Sequence, residues 1–461
     1  MNYKDFLESK RIEHPSTGLD VSRDELSPYL FPFQTDLTWW GLKKGRAGLF
    51  TATGTGKTRM ECRWSEQVHK ATNENVLILA PLAVSMQTVR EAAGIGITVY
   101  PCRTQADVKP GVNITNYEML HHFKPHKFVG VVIDESSCLK AYNGKFRQYV
   151  TDAFYHTPFK LSATATPSPN DYIELGTQAE FLGVMSRNEM LSMFFTHDGG
   201  QTSQWRLKGH AQEKFWEWLA SWAAVVTKPS DLGYDDGDFV LPPLNIYEEM
   251  ITVNRTEGGL FAVEARTLNE QRAAARYTLS DRVKRCAEIV NDTDKPFLVW
   301  CNLNAESEAL KKAIPDAIEV KGSDSKEHKE RAMLGFSDGT YKRLISKPSI
   351  CGWGMNWQHC SNMAFVGLNN SFEQWYQAIR RCLRFGQKNP VNVYAITSNL
   401  EGAIRANLER KERDAERMIQ EMVKYTRDIT RRNVRQTVRE TAEYNPRMKM
   451  VIPDWLRSEV V

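Results

Sequence analysis

The chain has 461 residues, 41% of them hydrophobic and 25% charged, with a formal net charge of +4. This is ordinary globular composition, enough for two or three domains with sizeable cores, and it excludes a low-complexity or fibrous chain. The mild basic excess permits a nucleic-acid partner without demanding one, and the lack of any run of about 18 apolar residues argues against a membrane span.

Residues 1–28 form an N-terminal segment that opens on Met-Asn-Tyr-Lys-Asp, with no apolar leader. From 29 to 183, short β-rich runs at 47–50, 76–80, 112–115, 129–133 and 160–162 alternate with helical stretches. In the helix after the first run, Met60, Trp64 and Val68 recur at i, i+4 and i+8, a buried stripe. A second series, at 297–301, 318–320, 344–346, 364–366 and 391–396, spans 280–400. Such alternation predicts parallel β-α units, hence two α/β domains in tandem. Between them, 184–279 is rich in aromatics and is expected as a mostly helical insert and linker. Beyond 400, Ile404, Leu408, Ala415, Ile419 and Met422 form an apolar seam along a charged helical extension, 401–461.

Two segments of the first series carry chemistry. Thr51-Ala52-Thr53-Gly54-Thr55-Gly56-Lys57-Thr58 follows a strand and opens a helix, the context a phosphate-binding P-loop requires. Gly54 and Gly56 let backbone N–H groups, with those of Thr53 and Thr55, approach phosphate oxygens, and the helix N-terminus adds its positive end. Lys57 would reach the β- and γ-phosphates of ATP, and Thr58 would place its hydroxyl on Mg2+. Further on, Val131-Val132-Ile133-Asp134-Glu135 is an apolar strand ending in two carboxylates. Asp134 would hold Mg2+, and Glu135 would orient and deprotonate the attacking water.

With these on the page, the order of motifs resembles superfamily 2 helicases and translocases, and most closely the Swi/Snf-like branch in its small phage and bacterial form. The likeness runs from about 28 to 400. It implies two RecA-like P-loop domains with parallel sheets. Leu30-Phe31-Pro32-Phe33-Gln34 is similar to L-x-P-Y-Q, so Gln34 would contact the adenine edge. The strand end at Ala80-Pro81 and the segment Thr115-Asn116-Tyr117-Glu118 look like family motifs, which implies nucleic-acid contacts for Pro81, Thr115 and Tyr117. Leu161-Ser162-Ala163-Thr164-Ala165-Thr166-Pro167 resembles the segment whose hydroxyls couple hydrolysis to movement. Gly352-Trp353-Gly354-Met355-Asn356 resembles G-x-G-L-N, adding Gly354 and Asn356 to the nucleotide-contacting set. The run 377–387 is similar to Q-A-x-x-R-x-x-R-x-G-Q, which implies Arg381 and Arg384 as finger arginines. A guanidinium delivered to the γ-phosphate is worth about 10³–10⁵ in rate, and its planar fork suits phosphate. The chain departs from the pattern at Thr51, where a Gly is expected, at Ser136-Ser137, where the family often has Ala-His, and at Arg380, where an acidic residue is common.

The resemblance implies an ATP- and Mg2+-dependent enzyme acting on single- or double-stranded DNA in replication, recombination or repair, alongside proteins of those processes. An RNA track and a non-catalytic clamp are the alternatives. Arginines of the extension, Arg431 and Arg435 among them, read equally as a phosphate-tracking helix or as a solvated, packing face. Trp218 and Trp222, at i and i+4, read as helix core more readily than as base-stacking platforms. The eight cysteines are scattered with no C-x-x-C pair and the histidine groups lack ligand spacing, so no zinc is expected and a reduced, cytoplasmic protein is (the host cytoplasm if phage-encoded).

Overall fold

The computed structural model describes residues 13–81, 84–137, 144–168, 170–197, 205–252, 268–352 and 355–435. The first domain holds strands β1 (Arg46–Thr51), β2 (Val76–Ala80), β3 (Val99–Pro101), β4 (Val112–Asn116), β5 (Gly130–Asp134) and β6 (Phe159–Thr164). A short antiparallel hairpin of β7 (Phe195–His197) and β8 (Trp205–Leu207) follows, then β9 (Ala223–Val226). Six of these join β9 in a seven-stranded sheet of order β3-β4-β2-β5-β6-β1-β9, with every pairing parallel. The second domain is a six-stranded sheet, β10-β15-β14-β11-β13-β12, again all parallel. Its strands are β10 (Leu244–Ile251), β11 (Phe297–Cys301), β12 (Ile318–Val320), β13 (Arg343–Ser346), β14 (Asn362–Val366) and β15 (Val391–Ser398).

Parallel strands need helical crossovers, and these cover both faces of each sheet. That is why the central strands read as uninterrupted apolar runs: every residue of β2, β5, β11 and β14 is buried. On one face of the first sheet, Phe50, Leu79 and Ile133 meet Trp218 and Trp222 of helix Gln212–Trp222. On the other, Leu49, Ile78 and Val132 meet Met60, Trp64 and Val68, the stripe of the helix Lys57–Thr72. The described part of 184–279 holds helices and also lends an edge strand to each sheet, β9 beside β1 and β10 beside β15.

The last described helix, Gly402–Arg435, has 34 residues, about 51 Å at 1.5 Å per residue. It crosses from one domain to the other. Ile404, Leu408 and Ala415 lie in the second-domain core, whereas Met422 and Val434 are buried in the two cores of the first. Trp216 stacks on Tyr425 with centroids 5.4 Å apart and planes at 10°.

Candidate functional site

In an open parallel sheet, ligands bind beyond the carboxyl ends of the strands, and the expected motifs gather there. β1 ends at Thr51, the chain turns through 52–56, and helix α1 (Lys57–Thr72) begins. Gly54 and Gly56 have φ of +91° and +86°, left-handed backbone that favours glycine. The Lys57 ammonium donates to Thr51 O at 2.8 Å and Ala52 O at 3.3 Å. Thr55 Oγ1 lies 2.8 Å from both Thr51 Oγ1 and Ala52 O, tying the loop to itself. Thr58 is half-buried in the first turn of α1. Gln34 is buried and braces the loop from below. Its Nε2 donates to Thr55 O at 2.7 Å, while its Oε1 accepts from Phe31 N at 3.0 Å.

Asp134 closes β5 and is buried. The next residue, Glu135, has φ +56°, an uncommon conformation for a non-glycine, held because its side chain is fastened. Glu135 Oε1 accepts from Thr164 Oγ1 at 2.7 Å and lies 3.1 Å from Ser137 Oγ. Burial, reinforced by Glu135, pushes the Asp134 carboxyl up to about 7, although Lys57 pulls the other way. A third acid of this region, Glu61, was not legible as a site residue. It is fully buried on α1, and neither carboxylate oxygen has a hydrogen-bond partner. Burial first, then the charge of Asp134, raises its carboxyl well above the usual range. Its one sequence signal is the i, i+4 spacing from Lys57, which puts both on one helical face.

The opposite wall comes from the second domain. Helix α2 (Phe372–Ile379) leads into Arg381 and Arg384. Arg381 is 4% exposed, and its guanidinium donates to Gln377 O at 2.9 Å, Gln377 Oε1 at 2.8 Å and Met355 O at 3.2 Å. Burial, then the neighbouring Arg384, draws its pKa down to about 9, while the charges of Glu135 and Asp134 act to raise it. A Cβ placed on Gly54 would stand 2.8 Å from Phe385 N and 3.5 Å from Arg384 Cα, so the arginine segment lies directly on the phosphate loop. Three further contacts cross between domains: Asn356 Nδ2 to Glu91 Oε1 at 2.6 Å, Thr53 Oγ1 to Tyr376 OH at 3.3 Å, and Ser137 Oγ to Glu373 Oε1 at 2.9 Å. Gly354 lies outside the described residues.

The expected nucleic-acid contacts fare differently. Pro81, at the end of β2, is half-buried. Thr115 and Tyr117 are 2% and 1% exposed, and the Tyr117 hydroxyl donates to Asp134 O at 2.7 Å. Tyr117 supports the carboxylate strand from inside, and neither residue offers surface to a polymer. Arg431 donates to Ser230 O at 3.1 Å and Arg435 to Leu232 O at 3.3 Å, with Arg435 also over the Tyr234 ring. These bonds fasten the last helix to the first domain, with Arg431 half-buried and Arg435 exposed. Trp218 and Trp222 are fully buried, as core residues.

Residues 281–386 match the family model of the helicase conserved C-terminal domain. No curated protein matches the chain. Among solved structures, the Sulfolobus solfataricus SWI2/SNF2 ATPase core in complex with dsDNA aligns over 90% of this chain and 99% of its own, with 16% identity and a TM-score of 0.40. The matched residues lie in the second of the two parallel-sheet domains, which is thus similar to a helicase C-terminal domain.

Proposed function

We propose that this protein is a nucleic-acid-stimulated ATPase that moves along DNA, serving replication, recombination or repair. The observation that carries the reading is the meeting of two walls: a left-handed glycine loop ending in Lys57, and Arg384-Phe385 seated against Gly54 from the other domain. Loop amides and the α1 N-terminus would bind the nucleotide phosphates. Lys57 would exchange its two carbonyl partners for β- and γ-phosphate oxygens. Gln34, by holding Thr55 O, would set the loop's height beneath the adenosine. Thr58 and Asp134 would hold Mg2+, whose charge neutralises that developing on the phosphates. The fit is chemical: Asp134 and Glu61, whose carboxylate oxygens lack a hydrogen-bond partner, are buried acids that Lys57 compensates in part, a deficit that a divalent cation answers.

Glu135, aimed by Thr164, would orient the attacking water. Arg381 and Arg384 would leave main-chain carbonyls of their own domain for the γ-phosphate, so hydrolysis would require both domains together. Repeated closure and release would advance the two domains alternately along a strand. Grip on the polymer would come from sequence-blind phosphate contacts.

The test is ATP turnover with single-stranded, duplex and forked DNA and with RNA, followed by strand separation against triplex displacement. Lys57→Ala is expected to abolish turnover, and Arg384→Ala to keep nucleotide binding while slowing turnover at least about a hundredfold. Stimulation by RNA alone would move the track to RNA. Background turnover with every polymer would favour a non-catalytic clamp.

A further inference from the structure

We propose that Glu373 is a positioning residue that reports closure of the second domain to Glu135, acting through Ser137. The inference rests on the reading of Glu135 as the residue that orients water. Ser137 Oγ lies 3.1 Å from Glu135 Oε1 in its own domain and 2.9 Å from Glu373 Oε1 in the other. A serine hydroxyl has one proton, so only one of the two carboxylates can receive it at a time. Thr166 Oγ1, 3.3 Å away, donates into the Ser137 oxygen and leaves that single proton to be shared. Glu135 Oε1 already accepts from Thr164 at 2.7 Å. With the domains apart, the Ser137 proton has Glu135 as its carboxylate acceptor, and a lone pair that water needs is occupied. With the domains together, the shorter contact to Glu373 draws the proton away, and that lone pair is released.

The timing follows from one rigid element. Glu373 stands in the first turn of α2, and Arg381 is clamped to Gln377 of the same helix through both its main-chain and side-chain oxygens. Glu373 therefore reaches Ser137 as the two arginines reach the phosphate loop. Ser137 occupies the position where the family pattern often has His, so this single-proton exchange belongs to this chain's own residues.

The experiment is a double-mutant cycle in DNA-stimulated ATP turnover, with Glu135→Gln alongside. Glu373→Ala is expected to lower kcat about fivefold or more with KM for ATP within about twofold, as for a lost hydrogen bond to a charged group. Glu373→Gln keeps a carbonyl acceptor and is expected to recover most of the rate. Ser137→Ala combined with Glu373→Ala is expected to be no slower than the slower single variant, because the two act through one another. Multiplying losses, a loss in KM in place of kcat, or a Glu373→Gln variant as slow as Glu373→Ala would overturn the proposal. If Glu135→Gln abolishes turnover while the cycle is additive, only the role of Glu373 fails. If Glu135→Gln turns over normally, or the unmodified chain does not turn over at all, the reading of the site fails and takes this proposal with it.

Discussion

A methyl group at Gly54 tests whether the closed cleft is the working state. The Cβ of Gly54→Ala would stand 2.8 Å from Phe385 N, across the domain boundary, whereas ordinary contact begins at 3.4 Å. One side must retreat by about 0.6 Å. Phe385 cannot yield alone, because its ring is wedged 4.6 Å from Phe239 and 6.0 Å from Phe31. Overpacking of this kind costs about 1–3 kcal/mol, and here it falls on the closed state only. At about 1.4 kcal/mol per tenfold, the closed population drops roughly 5- to 150-fold. The left-handed strain of an alanine at φ +91° is common to open and closed states and does not change their balance. Gly56→Ala is the control: it carries the same kind of strain at φ +86°, but its Cβ would meet the end of the Gln34 side chain, Nε2 at 2.3 Å and Cδ at 3.3 Å, in the same domain. DNA-stimulated turnover over an ATP titration, with a dye pair on the two domains to read closure, separates the cases. Gly54→Ala should lose kcat about tenfold or more along with the closure signal, and Gly56→Ala should mainly raise KM. Indistinguishable variants, both closing normally, would show that the closed cleft is not the working state.

Other perturbations act on stability. Met422 is fully buried in the first-domain core although it belongs to the last helix, so Met422→Ala should cost about 2–5 kcal/mol in denaturant unfolding of that domain. Burial, aided by Arg46, draws the Lys160 ammonium down from 10.5 to about 7. The unfolded chain therefore binds this proton more tightly between pH 7 and 10.5, and stability rises with pH across that window. Lys160→Met should flatten the rise, as read by melting temperatures at pH 7, 8 and 9. An unchanged slope would show that Lys160 keeps its charge in the folded chain.

The sequence displayed what is contiguous. A glycine loop between strand and helix, an apolar run ending in two acids and arginines at i and i+3 are each written in one stretch, and the central strands announce themselves because both their faces are buried. Edge strands do not. β9 is Ala-Ala-Val-Val directly after a helix, where a short apolar run fits helix or strand equally, and only pairing with β1 decides. β10 carries Asn, Tyr and two Glu on an exposed border of its sheet, and β3 is three residues ending in proline. Glu373 escaped notice because its partner Ser137 lies 236 residues away along the chain, and Glu61 because its burial beside Asp134 is a tertiary fact that spacing does not show. The packing contacts of the last helix's arginines were hidden for a related reason. Arg431 and Arg435 look solvated on the helix alone, but the carbonyls that engage them are about 200 residues upstream.

The helix that crosses both domains also dictates an order of assembly during synthesis. Arg23 donates to Val434 O across 411 residues of chain, and Met422 fills a cavity lined by residues made long before it. At roughly 5–20 residues per second, about 10–40 seconds separate the emergence of Leu232 from that of Met422. Throughout that interval the first domain waits with Trp216 uncovered on the face that Tyr425 later caps. The second domain forms in the meantime, so the half of the molecule begun first is the half finished last.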